Sequence, residues 1–498
     1  MPVSFNYVPN GIRVPLFYAE VDASAASVTA GVNRSLIIAQ MLSGTATAGA
    51  PVAVSTASAA KTLFGRGSQA ARMVEAYRAN DPSGVLYVLP LADPDGSSAT
   101  GTITVTGEAE EAGVVYVYVG GLRCPAAVAK GANANAVATA IAAAINGKAD
   151  APVRASVLSG QSVVTVTAKN GGLVGNDISI AINRAGPSAG EAIVNGINVT
   201  ASAMSGGTGA PDLEAAFAAL GDTAFEFIGM PFSDTASLEA VKTAMNDASG
   251  RWAPTVQLYG HVYTAKRGTL QSLSTFGKAR NDQHVTVFGI EADQPDDPAV
   301  IAAAALGRTA VFITNDPARP TQTGILVGIG EPAIQNRFNL AERQTLLTSG
   351  IATLYYGGNA RIERAVTTYQ RNSFGDEDVS YLDSETLHTL AYVIRYLRSI
   401  ITTKYARHKL ASDGTRYGAG QAVVTPAVIR GEIIAAYRRL EYQAIVEQAD
   451  LFAENLVVER DVNDPNRVNV LFPPDLVNQL RVFALLAQFR LQYDAIEE

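Results

Sequence analysis

At 498 residues, with 48% apolar and 17% charged side chains, the chain has the length of roughly three ordinary domains and is too apolar to be disordered. A formal net charge of -8, from 38 basic and 46 acidic side chains, excludes an overall basic field for gathering phosphate backbones, so nucleic acid is not an expected partner. A single cysteine, Cys124, excludes an intramolecular disulfide and points to a reducing compartment, and with only four histidines it excludes a Cys/His zinc cluster.

Taken in order, residues 1–24 read as an extended arm. Val3, Phe5 and Tyr7 alternate with Pro2, Ser4 and Asn6, and Val14, Leu16 and Tyr18 repeat the period of two. Pro2, Pro9 and Pro15 cannot donate to a ladder, which confines the segment to a sheet edge. At about 3.3 Å per residue its first 21 residues reach on the order of 70 Å, far enough to meet a neighbour. The same prolines and the lack of a charged-then-apolar order argue against a signal peptide. Apolar runs such as AIAAAI fall far short of the roughly 18 residues of a bilayer span, so no membrane insertion is expected.

Residues 25–96 alternate strand and helix signals: NRSLIIAQ, a Ser/Ala-rich helix ending near Phe64, a helix from Ser68 to Asn80, and VLYVLPL. After Asp93-Pro94-Asp95-Gly96 the composition turns to Thr/Val strands, GTITVTG and VVYVYVGG, then an Ala-rich helix near 133–146 and the strands PVRASVL, SVVTVTA and DISIAIN. The shift reverses at SGGTGAP, which marks 97–206 as a β-rich peripheral domain inserted between two halves of an α/β core. Residues 207–336 resume the alternation with helices at 212–220, near 235–246 and after Pro298, between AFEFIGM, TVQLYGHVY and HVTVFGIEA, so a mainly parallel sheet covered on both faces is expected.

From 337 to 475 the pattern becomes α+β. Asn339 is an N-cap with Glu342 three places on, Leu340, Leu346 and Leu347 follow, and Gly350 ends a short helix. Gly357-Gly358-Asn359 then reverses the chain between IATLYY and ARIERAVTTYQ. Behind Ser384, Leu387, Leu390, Ala391, Ile394, Leu397 and Ile401 recur at helical spacing. Thr425-Pro426 opens a further helix with Ile433, Tyr437 and Leu440 on one face, and LVVERD and RVNVLF form a hairpin across 463–466. In the last segment, 476–498, Ala487, Phe489, Leu491 and Tyr493 alternate with Gln488, Arg490 and Gln492, so this end too reads as a strand arm.

The order within 337–370, AER, LL, GI-TL, GG, a basic-acidic pair and then TTYQ, resembles the C-terminal region of contractile-tail sheath proteins, in particular the Mu-like bacteriophage branch. MPVSFNYVPNGIRVPLFYAE and RVNVLFPPDLVNQLRVFALLAQFRLQY look like the two ends of such proteins, so the resemblance covers nearly the whole chain. It implies a subtilisin-like α/β core with an outward β-rich insert and an α+β C-terminal sheath domain. It also implies a structural subunit that forms a helical homo-oligomer around a tail tube protein, meets baseplate and tail terminator proteins, and contracts to drive the tube through a host envelope. Such a protein is assembled in the host cytoplasm and resides in the virion. The sheath of a phage-derived bacteriocin or secretion device shares this physics, and a subtilisin-fold hydrolase is the rival from another class.

Signals of chemistry are weak. Gly65-Arg66-Gly67-Ser68-Gln69-Ala70 fits a loose G-x-G-x-x-A pattern, but a helix rather than a strand precedes it, so a helix-to-helix turn is expected. A Ser/His/Asp triad is not visible: His261 lies in the strand-like YGHVY, and His284, His388 and His408 each stand alone. Asp376-Glu377-Asp378 and Asp93-x-Asp95 read as exposed acidic turns rather than metal or acid/base pairs. No catalytic, cofactor-binding or metal-binding residue and no cofactor is therefore assigned. The arm residues Val3, Phe5, Tyr7, Phe489, Leu491 and Tyr493 are expected to join neighbouring subunits. Arg395, Arg398, Lys404, Arg407, Lys409 and Arg416 cluster at a helix C-terminus, where cations complement the dipole; the resemblance makes the first five candidates for facing the tube.

Overall fold

The computed structural model describes residues 33–491, which form two compact units, 34–389 with 476–491, and 390–475. Val3, Phe5, Tyr7 and Tyr493 lie outside the described residues.

The first unit is built on a six-stranded sheet. Strand β1, Arg34–Gln40, is a near-continuous apolar run because it is buried on both faces. The edge strand β2 is Val52–Ala53. Helix α1, Ala57–Phe64, starts where Thr56 Oγ1 accepts from Ala59 N, and α2, Gln69–Asn80, where Ser68 Oγ accepts from Ala71 N. Strand β3, Val85–Leu91, then lies parallel to β1, Arg34 opposite Val85 and Gln40 opposite Leu91.

The chain next leaves the sheet for residues 94–210. Ser97 and Thr208 are hydrogen bonded and Thr100 bridges Ser205, so the two linking strands run side by side. Between them, β4 (Thr100–Gly107), β5 (Gly113–Val119) and β6 (Leu122–Val128) precede α3 (Ala134–Asn146), and β7 (Val153–Val157), β8 (Val163–Ala168), β9 (Ile180–Ile182) and β10 (Ile197–Ala201) follow it. They make antiparallel sheets of order β10-β4-β8-β7 and β6-β5-β9. Alternate residues of β5 and β6 point inward, and with Val137, Ile141 and Ile145 of α3 they close a separate hydrophobic core containing Cys124.

The sheet resumes with α4 (Leu213–Ala218), β11 (Phe227–Gly229), α5 (Thr235–Met245), β12 (His261–Arg267), α6 (Leu270–Lys278), β13 (Val285–Ile290) and α7 (Pro298–Asn315). The full order is β13-β12-β11-β1-β3-β2; counted in chain order, the five parallel strands lie 2-1-3-4-5, a doubly wound arrangement. Ile37, Ala39, Val88, Phe227 and Tyr263 face α1, α2 and α7, whereas Leu36, Ile38, Leu89, Ile228 and Val262 face α4, α5 and α6. The strand expected over TVQLYGHVY begins only at His261, because Gln257 takes a φ of +56° and breaks the extension. Helix α7 is long and apolar enough to cross a bilayer by length and composition, but 67% of it is buried against this core.

Helix α8, Leu340–Thr348, carries the expected capping box: Asn339 N donates to Glu342 Oε2 and Glu342 N to Asn339 Oδ1. Strands β14 (Thr353–Tyr356) and β15 (Ala360–Arg364) form the expected hairpin. Leu354, Ile362 and Val366 join the core of the parallel sheet, and Ala352 exchanges hydrogen bonds with Val287 and Gly289 of β13.

Helix α9, Ser384–Tyr405, begins in this unit and continues into the 390–475 unit. There, β16 (Lys409–Leu410) pairs with β17 (Val423–Val424), α10 spans Pro426–Tyr442 and α11 spans Ala449–Asn455, and β18 (Val457–Arg460) pairs antiparallel with β19 (Val468–Leu471). Tyr437 stacks on Phe452 at 3.7 Å, and its hydroxyl donates to Glu447 O.

Candidate assembly surfaces

A doubly wound sheet opens a ligand crevice where its strand order reverses, beyond the carboxyl ends of the central strands. Here that place, past Gln40 of β1, is filled by the insert. Asn170 Nδ2 donates to Met41 O and Asp93 Oδ1, its Oδ1 accepts from Gln69 N, and Gln40 Nε2 donates to Asp93 Oδ1 and Gly171 O. Arg72, on α2 beside it, is bidentate to Asp297 with both contacts at 2.6 Å. A cavity of about 30 Å³ remains, lined by Gln69, Arg72, Asn170, Asp177 and Asp297, which is room for water rather than for a nucleotide. The G-x-G turn lies at the same place. It joins α1 to α2, and a Cβ on Gly67 would sit 2.3 Å from Ala151 O of the insert, so close backbone approach explains the glycine.

Sequence reasoning treated the histidines singly, and the structure brings two of them together. His388 Nδ1 lies 2.6 Å from Glu226 Oε1, and its Nε2 lies 2.8 Å from the Tyr263 hydroxyl. The Tyr263 hydroxyl donates to Nε2 when Nδ1–H donates to Glu226. His261 stands next to them, its Nε2 2.8 Å from Thr286 Oγ1. All four side chains are buried. Burial, followed by the neighbouring His388, pushes His261 well below the ordinary histidine range, and burial pushes the Tyr263 hydroxyl well above its own. Such an acid-histidine-hydroxyl chain would serve proton transfer if a substrate reached it; buried as it is, it fastens the N-terminal part of α9 to β12 and to the residue before β11. The partners are 125 and 162 residues apart, so no local spacing announces them. Among the described residues no group of three or more His, Cys, Asp or Glu side chains is placed to hold a metal ion.

The basic cluster is divided in the structure. Arg395 is half-buried, Arg398, Arg407 and Arg416 are exposed, Lys404 Nζ contacts Glu432 Oε1 at 2.5 Å, and Lys409 Nζ donates to Gln421 Oε1. Burial raises the Glu432 carboxyl, and the bonds from Lys404 and the Tyr405 hydroxyl outweigh it, leaving the group below its ordinary value.

At the C-terminal end, residues 482–491 are exposed and belong to no strand; Phe489 is 86% and Leu491 96% exposed. Among the described residues the alternation that reads as a strand finds no ladder partner. Leu480, Val482, Phe483, Leu485 and Leu486 are exposed with them. Burying each on a partner is worth roughly 1.5–3 kcal/mol. The hairpin β18–β19 is two-stranded with Val457, Val470 and Leu471 exposed, and among the described residues no further strand pairs with either of its edges. The other hairpin is not: Thr323 N and Leu326 N donate to Ile362 O and Ala360 O, covering β15, while β13 lies beside Ala352.

The family described as phage tail sheath protein central domain matches residues 206–368, and that described as phage tail sheath C-terminal domain matches 376–490. A Mu-like prophage tail sheath protein of Haemophilus influenzae is 40% identical over 498 residues, covering 99% of this chain and 100% of that one. The chain therefore belongs to the phage tail sheath family. Among solved structures, a sheath tail protein of Desulfitobacterium hafniense aligns with 94% of this chain and 97% of its own at 14% identity and a TM-score of 0.49. The contracted helical sheath of an anti-feeding prophage aligns with 97% and 100% at 12% identity and 0.45.

Proposed function

We propose that the chain is a non-enzymatic subunit of a contractile sheath that polymerises helically around a tail tube, with baseplate and terminator proteins at its ends, and contracts to drive the tube through the host envelope. Its place is the virion, after assembly in the host cytoplasm. The core is subtilisin-like in layered plan, a parallel sheet between helices. The apolar C-terminal arm supports this reading most directly, because exposed Leu480, Val482, Phe483, Leu485, Leu486, Phe489 and Leu491 form an apolar stretch that burial on another chain would stabilise. The open-edged hairpin β18–β19 is the acceptor, and residues 1–24 act as the second arm. Arg398, Lys404, Arg407 and Lys409, with Arg395, border the tube-facing surface.

The same reading divides the chain into a core of 25–96 and 207–336, a peripheral insert of 97–206, and a C-terminal sheath domain of 337–475. A hydrophobic core spanning Ala99 to Met204 supports the insert's limits. Truncation after Arg481 tests the arm: the shortened chain stays folded and monomeric by circular dichroism and sedimentation, whereas the full chain forms tubes visible by negative stain. Tubes of normal length from the truncated chain would exclude the arm reading.

A further inference from the structure

From Val482 to Leu491 the arm is exposed, yet its root is held tightly. Gln479 Nε2 donates to Ala318 O at 3.1 Å, and Gln322 Nε2 donates to Leu480 O at 3.2 Å. Between these, Arg481 turns inward with a side chain only 11% exposed. Its Nη2 lies 3.2 Å from both Asp383 Oδ1 and Glu385 Oε1, its Nη1 donates to Gln322 Oε1 at 3.3 Å, and Nη2 also donates to Gln479 Oε1. Glu385 is fully buried in the first turn of α9 and accepts from both the backbone N and the hydroxyl of Thr321. Asp383, just before the helix, is also bidentate to Arg364. One buried cation at the arm's base thus meets two carboxylates at one helix N-terminus, five residues or fewer from the Glu226–His388–Tyr263 chain.

We propose that Arg481 is a positioning residue for inter-subunit linkage: its ion pairs with Asp383 and Glu385 fix where the C-terminal arm leaves the subunit and so which acceptor on a second copy it reaches. This rests on the arm reading above. The cluster is suited to that task in two respects. A desolvated pair with multiple hydrogen bonds is screened far less by salt than an exposed pair such as Lys404–Glu432, so the root stays fixed over a wide range of ionic strength. Loss of the arginine also leaves the core a compensated arrangement. Asp383 keeps Arg364, Glu385 keeps the Thr321 bonds, and both carboxylates sit at the favourable end of the α9 dipole. The variant therefore loses the arm's register rather than its fold.

Hydrogen exchange of the monomer and negative-stain counts of tubes test the idea together, on the full chain, Arg481→Gln, Arg481→Lys and the truncation after Arg481. Removing one partner of a buried pair raises local opening by about a hundredfold. Arg481→Gln is therefore expected to speed exchange over 476–481 by that factor, leave α7 and β12 as protected as before, and shorten or abolish tubes. Arg481→Lys keeps the charge without the fork and is expected to fall between the two. Unchanged exchange at the root overturns the clamp. Faster exchange with normal tubes from Arg481→Gln overturns the positioning role, provided the truncated chain makes none. Normal tubes from the truncated chain instead remove the arm reading itself, a result distinct from either.

Discussion

Asn170 shows how one side chain ties the insert to the core. It satisfies a backbone N–H at Gln69, a backbone carbonyl at Met41 and a carboxylate oxygen of Asp93, all at 3.0 Å or less. Asn170→Ala leaves these groups without their partner and is expected to cost about 2–4 kcal/mol, read as a lower urea midpoint with a nearly unchanged slope. Asp296 is the opposite case, a carboxyl that burial pushes up to about 6, with the Gly330 N–H opposing and Asp297 adding to the rise. Because the folded value lies above the unfolded one, the folded state binds the extra proton between about pH 4 and 6. Stability from this group is greatest below that window and falls as pH rises through it. Asp296→Asn keeps an acceptor for Gly330 and is expected to stabilise the chain by about 2 kcal/mol at pH 8 and by little at pH 4, measured as the shift in thermal midpoint at the two pH values. An equal shift at both would remove ionisation as the cause.

At the scale of elements, what could be read from residue order was what local chemistry decides. Asn339 with Glu342 and Gly350 bounded α8, Gly357-Gly358 placed the hairpin, and Thr425-Pro426 opened α10, because caps and turns are satisfied within a few residues. TVQLYGHVY misled because its β-branched and aromatic residues suit a strand, while one left-handed residue, Gln257, decides where extension starts. The Glu226–His388–Tyr263 chain and the Arg481 root were illegible for another reason: each joins residues more than 90 positions apart, and pairings of that range follow from topology. The arm and the basic helix end make separable predictions. Phe489 is exposed, so Phe489→Asp is expected to shift stability by less than about 0.5 kcal/mol yet block tube formation in sedimentation assays. Reversing Lys404 and Arg407 to Glu is expected to weaken tube-protein co-sedimentation more at low salt than at high, with self-assembly retained. Co-sedimentation that ignores both substitution and salt would leave helix-end stabilisation as the patch's whole role.

For the molecule as a whole, the α/β alternation and the change of composition at 97–206 were visible in the sequence, since both are averages over many residues. The strand order 2-1-3-4-5 and the docking of the insert into the crevice it leaves were not, since neither sets any local periodicity. The docking qualifies how removable the insert is. Replacing 97–206 with a short Gly/Ser link is expected to leave a folded core, because the linking strands already run side by side at Ser97 and Thr208. That core should melt several degrees lower, since Asn170, Gly171 and Asp150 no longer serve Gln40, Gln69, Lys61 and Arg66. A chain that cannot fold would show the insert to be part of the core.

The proposed arm-to-hairpin contact would do more than attach one copy to the next. In the proposed contact donor and acceptor are different surfaces of the same polypeptide, so two copies would meet head-to-tail rather than through a self-complementary patch. However many copies have joined, one terminal copy still offers an unused arm and the other an unused hairpin edge. Where the rotation between copies does not close a ring, such growth would not complete itself. On that proposal a separate ruler would have to set the length of the particle, and its ends would be sealed by proteins that imitate one half of the contact without offering the other.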